Sequence, residues 1–338
     1  MCLTGAISKA TEEMKDERFD RRNFLKRSTQ AGLGITAACG LGFWLRSRSL
    51  HPGQELAASQ VRNYRVEFGN DLPKLAVVSG GTPETLAAAA LAVFGGMKKF
   101  VSRGDIVVLK PNIGWDRVPQ QAANTNPDLV KAIAQHCFEA GARKVVVTDV
   151  SCNDARRCFM RSGIAKASES VGATVLLPEE RKFRDYRLNG ELLTVWPIYT
   201  PILEADKIIN LPIVKHHNLS RATMGMKNWY GILGGRRNQL HQNIDVGIAD
   251  LATFVRPTLT ILDAYRVLTA NGPQGGNLND VKTLKTVVAG IDPIAIDAYG
   301  ATLLGLRAEQ IPYIRIGHER GLGNMNYSEL QVKYVSLE

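Results

Sequence analysis

Cysteines are few in this chain and poorly spaced for holding a metal. There are five, Cys2, Cys39, Cys137, Cys152 and Cys158, and no two stand in C-x-x-C spacing. The first two fall in the N-terminal leader region. The odd set of three that remains excludes a zinc ribbon or a four-cysteine cluster built by this chain alone. An iron–sulfur cluster is therefore not expected here, while a Cys152–Cys158 disulfide stays open in an oxidising compartment. Neither a G-x-G-x-x-G nor a Walker A sequence occurs, so nucleotide binding finds no support. A G-x-S-x-G nucleophile elbow is missing too. Lys/Arg runs interleaved with aromatics are also absent, and nucleic acid is not an expected partner. The longest uncharged apolar stretch, Ala31 to Trp44, is shorter than the roughly twenty residues a spanning helix needs.

What is present is an ordinary globular composition on a basic chain. Of the 338 residues, 45% are hydrophobic and 22% charged, with a formal net charge of +10. That balance excludes a disordered chain and a multi-span membrane protein, and it favours anionic partners or surfaces.

Residues 1–58 read as a signal region and linker. Asp20-Arg21-Arg22-Asn23-Phe24-Leu25-Lys26 has the form of a twin-arginine export signal, and the Gly/Ala-rich stretch after it has the form of its apolar core. The expected location is the periplasm, with the twin-arginine translocase as the partner during export. Leu56-Ala57-Ala58 before Ser59 is a usable cleavage site; retention as an uncleaved membrane anchor is the other option. Lipidation of Cys39 is left open.

Residues 59–338 read as one large α/β domain, with two lobes at about 70–200 and 201–338 as a variant of that division. Short apolar runs at Leu75–Ser79, Asp105–Lys110, Lys144–Asp149, Ala173–Leu177, Lys207–Ile213, Leu259–Leu262 and Thr286–Ala289 predict strands. Helical stretches alternate with them: Pro83–Phe100, Pro127 to about Ala140, Asp245–Phe254 and Pro293–Leu304. Asn126 is placed to cap the second, with Pro127 in its first position and Gly141 closing it. This alternation predicts a mostly parallel, helix-covered, Rossmann-like sheet. Arg184–Tyr199 alternates as an inserted β-hairpin turning at Asn189-Gly190, and Gly272–Gly276 reads as a flexible loop.

The most informative absence is local. Residues 207–244 contain no aspartate or glutamate, yet carry Lys207, Lys215, Arg221, Lys227, Arg236, Arg237, His216, His217 and His241. So one-sided a segment fits a carboxylate or phosphate pocket; a solvated basic face is its plainer explanation. Lys215, His216 and His217 follow a predicted strand, at the edge where α/β sheets bind ligands. Asn112 sits at another strand end. The expected ligand-binding residues are Asn112, Lys215, Lys227, Asn228 and Arg236. His217 and His241 are candidate general bases, with strand-end Asp263 to orient one of them. His241 and Asp245, four apart, share a helix face, and with Asp149 and His216 they form the candidate metal set.

Taken together, Lys110-Pro111-Asn112, Thr125-Asn126-Pro127, Asn210-Leu211-Pro212 with Lys215 and His217, Gly225-Met226-Lys227-Asn228 with Gly231, and Asp292 with Asp297-Ala298 resemble the domain-of-unknown-function 362 family over about residues 75–305. The resemblance implies the fold and the site positions but no activity. Members often carry an attached ferredoxin-like segment, and this chain departs from that pattern in having no clustered cysteines. Besides a structural or membrane-tethered interaction protein with no bound ligand, two functional readings follow. One is an exported enzyme or redox-associated protein holding an anionic substrate or a metal cofactor, with a redox protein as partner. The other is a non-catalytic periplasmic accessory protein that captures an anion or metal.

Overall fold

The computed structural model describes residues 61–66 and 72–337, all within one unit, Ala58–Glu338. The arginine pair, Cys2, Cys39 and the cleavage segment lie outside the described residues. Twelve strands are described: β1 (Leu75–Ser79), β2 (Ile106–Pro111), β3 (Lys144–Val147), β4 (Thr174–Val175), β5 (Phe183–Arg187), β6 (Val195–Tyr199), β7 (Lys207–Leu211), β8 (Ile213–His217), β9 (Arg221–Thr223), β10 (Leu259–Leu268), β11 (Val281–Gly290) and β12 (Val332–Ser336). Ten of them share one sheet in the order β12-β1-β11-β10-β7-β2-β3-β4, with β8 pairing β10 and β9 continuing from β8. β10, β7, β2, β3 and β4 run parallel to one another along that path. Antiparallel pairing is confined to β11, on either side of it, and to β8–β9. The fold is thus α/β, built on a mixed, mostly parallel sheet.

Apolar runs, rather than alternating ones, form these strands because both faces of the sheet are covered. Val107 and Leu109 face one core and Val108 the other; Ile209 and Ile208 divide in the same way. The first core is roofed by the helices Pro83–Val93 and Pro127–Glu139, through Leu86, Leu91, Leu129 and Ile133. The second is roofed by Ile244–Phe254 and Pro293–Thr302, through Ile248, Leu251, Ile294 and Ile296. Each fully buried Leu, Ile or Val contributes about 1.5–3 kcal/mol.

The local signals act as the residue types dictate. Asn126 accepts the Asp128 amide at 3.0 Å, Pro127 opens the helix behind it, and Gly141 beyond its end has φ 104°. Other elements depart from expectation. Pro212 lacks the N–H a ladder needs, so the stretch expected to be one strand, Lys207–Ile213, divides into β7 and β8. β10 runs on to Leu268, which puts Asp263 inside a strand rather than at its end. The hairpin of β5 and β6 exists, but its turn is wider than Asn189-Gly190. Leu188 donates to the Thr194 carbonyl and Gly190 to that of Leu193.

Candidate functional site

Because β2, β3 and β7 run parallel, their carboxyl ends lie on one edge, and the chain leaving them carries the polar side chains. A cavity of about 270 Å³ opens there. Lys110 and Asn112 come from the end of β2, Asp149 from just past β3, Lys215 and His217 from β8, and Thr223 from β9. Lys227, Asn228, Tyr230 and Gly231 come from the 3-10 turns that follow.

An asparagine network fixes the floor. Asn210 donates to the Gly225 carbonyl and accepts from Asn228 Nδ2 at 2.8 Å. Asn228 Nδ2 also donates to the Lys110 carbonyl, and its Oδ1 accepts from Asn112 Nδ2 at 3.1 Å and Lys110 Nζ at 3.2 Å. These bonds set the orientation of each amide and leave Asn112 Oδ1 to accept from Lys215 Nζ at 3.1 Å.

The three buried lysines differ in their partners. Lys110 Nζ is 2.5 Å from Asp149 Oδ1, a buried ion pair, and Asp149 Oδ2 accepts the Ile113 amide at 2.7 Å. Gly231 lies so close that a Cβ there would meet Asp149 Oδ1 at 1.8 Å, so no side chain fits. Lys215 donates to the Ala123 carbonyl at 2.5 Å and to Asn112, with no carboxylate in contact; burial, more than any neighbouring charge, pushes its ammonium down to about 7. Lys227 sits 4.4 Å over the Tyr230 ring and makes no hydrogen bond to the described protein; burial pushes it down to about 8.

His217 is 6% exposed, and its Nδ1 accepts the amides of Leu219 and Ser220 at 3.1 and 3.2 Å. Burial, and then the charges of Lys227 and Lys215, hold it down to about 2. The ring is therefore neutral, with its hydrogen on Nε2, and offers a donor rather than a base. The Thr223 hydroxyl, buried on the same wall, has no partner among the described residues. Arg237 ties the walls together by donating to the carbonyls of Val150, Ser151 and Tyr230.

Of the residues expected at a site, Asn112, Asp149, Lys215, His217, Lys227, Asn228 and His241 line this cavity. Four do not. Arg236 is exposed beside it. His216 Nδ1 accepts the Gly272 amide. Asp245 is half-buried with one oxygen unpartnered. Asp263 accepts the amides of Asn126 and Tyr265, and burial raises it to about 6. Among the described residues no three His, Cys, Asp or Glu converge, so Asp149, His216, His241 and Asp245 do not assemble as one ligand set. Lys110, Thr223 and Tyr230 were outside the expected set. A lysine ending the apolar run Ile106–Leu109 is a signal that points to Lys110; the other two left no sequence signal.

A solved protein from Thermotoga maritima resembles the chain with a TM-score of 0.39 at 8% identity, over 71% of this chain and 60% of that one. A thylakoid-associated protein from a Synechocystis strain is 28% identical over 240 residues, 69% of this chain and 73% of the relative. Residues 107–302, the segment that supplies most of the cavity wall, match the domain of unknown function DUF362, and the chain belongs to that family.

Proposed function

We propose that the protein binds a small anion, of carboxylate or phosphate chemistry, in the cavity at the strand carboxyl ends. The observation that carries this reading is Lys227, a residue 7% exposed whose ammonium lies over the Tyr230 ring and makes no hydrogen bond to the described residues. A buried charge left unpaired costs several kcal/mol, and an anion in the cavity removes that cost. The Thr223 hydroxyl and the His217 N–H stand ready as further donors, and Asp149, the acid on the cavity wall, is already paired to Lys110. Ligand pockets for drug-sized molecules span roughly 300–1,000 Å³, so this one suits a molecule of few atoms.

Thermal-shift titration with inorganic phosphate, sulfate and oxalate tests the reading. At least one anion is expected to raise the melting temperature of the wild type; at a hundred times its Kd it adds about 2.7 kcal/mol. Lys227→Met should abolish that shift without melting lower than the wild type, because it removes an unpaired charge. A variant that melts far lower would make Lys227 a structural residue and sink the proposal.

The second part of the proposal concerns location. The chain is exported by the twin-arginine route and works on the far side of the membrane. Arg21-Arg22 and the apolar stretch after them support this. The name of the Synechocystis relative, which describes association with a membrane system, is compatible with it.

A further inference from the structure

The three lysines of the cavity are set up for three different states. Lys110 has a carboxylate partner in Asp149, which opposes the lowering that burial imposes on its ammonium. Lys227 lies over the Tyr230 ring with no acceptor among the described residues, which leaves it for the anion proposed above. Lys215 has two acceptors, the Ala123 carbonyl at 2.5 Å and Asn112 Oδ1 at 3.1 Å, and no acid. Two acceptors match the two hydrogens of a neutral amine. An ammonium has three, and among the described residues only these two groups accept from Lys215, a residue 1% exposed. The acceptor role of Asn112 Oδ1 is not free to change, because Asn112 Nδ2 is committed to Asn228 Oδ1 and Asn228 Nδ2 to Asn210. An amine held by both its hydrogens keeps its lone pair unshared, and Lys215 forms part of the cavity wall.

From this geometry we infer that Lys215 is a nucleophile and that the anion of the cavity is a short 2-oxo acid, captured as an imine on Lys215 while Lys227 holds its carboxylate. The inference rests on the anion-binding reading and narrows it to one ligand class. In the reaction the Lys215 nitrogen forms a bond to the carbonyl carbon, and one amine hydrogen passes to the oxygen to give a carbinolamine. A proton from solvent then releases that oxygen as water, leaving the iminium N–H. Neither oxidant nor reductant is consumed. Desolvation beside other cations is a known way to keep a lysine unprotonated near neutral pH, and the burial that pushes Lys215 down agrees with it.

The test is reductive trapping on the full chain. Glyoxylate is added with cyanoborohydride at neutral pH, and the labelled lysines are located by peptide mass mapping. A carboxymethyl group is expected on Lys215 ahead of the exposed Lys98 and Lys99. Oxalate, an anion that forms no imine, should protect Lys215, and Lys227→Met should slow its labelling. Lys215→Arg, which fills the site with a long side chain but lacks the amine nucleophile, should lose the cavity adduct. Because mapping on the wild type needs no variant, misfolding of Lys215→Arg cannot hide the answer. Labelling spread evenly over surface lysines, or none at Lys215, overturns the inference. If phosphate, sulfate or oxalate still raises the melting temperature in that case, anion binding stands and only the imine falls; if none of them does, both fail.

Discussion

At the residue scale, burial without partners decides what each group in the cavity does. His217 looked like a base by type, yet two backbone amides occupy its Nδ1 and nearby lysines oppose its charge. Its protonation carries a sign that can be worked out. An unfolded chain takes up the His217 proton below its ordinary pKa of 6.5, and the folded chain refuses it down to about 2. The unfolded state therefore binds more protons in that window. The resulting penalty is absent above 6.5 and grows as pH falls, by at most about 1.4 kcal/mol per pH unit. His217→Gln removes this component, so unfolding free energies measured from pH 6.5 to 4 should fall less steeply in the variant. Equal slopes would mean that the ring gains a proton in the fold. Asp263 and Asp297 act in the opposite direction, since burial raises them to about 6 and about 7, and their contribution is lost as pH rises through those values. The comparison with the variant isolates the histidine from both.

At the element scale, short polar ties hold irregular segments in place where no ladder does. The hairpin turn after β5 is fastened by Asp250 of the helix Ile244–Phe254. Asp250 Oδ1 accepts the Glu191 amide at 3.1 Å and Arg320 at 2.7 Å, and Oδ2 accepts the amides of Leu192 and Leu193, each at 2.8 Å. Removing the carboxylate leaves three amides without their acceptor and Arg320 with Glu191 alone. Asp250→Ala is expected to cost about 3–5 kcal/mol, the range for breaking one partner of a buried charged contact. Denaturant unfolding reads that loss, and limited proteolysis should cut first within residues 188–194. A loss under about 1 kcal/mol would show that water replaces the carboxylate at no real cost. This tie was not legible in the sequence: Asp250 and Leu192 are far apart in the chain, and Asp250 reads only as one polar residue in a helix. The hairpin itself was legible, because alternation and Asn189-Gly190 are local signals.

At the scale of the whole molecule, charge is distributed by task. The basic excess on the cavity wall comes mainly from residues 207–244, while the Arg21-Arg22 pair, proposed above as part of an export signal, lies near the N-terminus. Changing Arg21 and Arg22 together to Lys tests location, since the twin-arginine pattern is specific to arginine while the net charge is kept. The variant is expected to stay in the cytoplasm on cell fractionation, folded, with its anion-induced thermal shift intact. Export of the variant at the wild-type level would refute the assignment.

The α/β class, most strand positions, the Asn126 cap and the basic character of residues 207–244 follow from the sequence by itself, because each rests on neighbours in the chain or on residue type. It also brought out Asn112, Lys215, Lys227 and Asn228, since charge and amides at strand ends are visible as text. Which lysine has a carboxylate, which has only carbonyl-type acceptors and which has none was decided by the tertiary structure. So were the exclusion of Asp263 from the cavity and the neutral state of His217. Those properties depend on distances between groups that lie far apart in the chain, and on how much water the fold removes from between them.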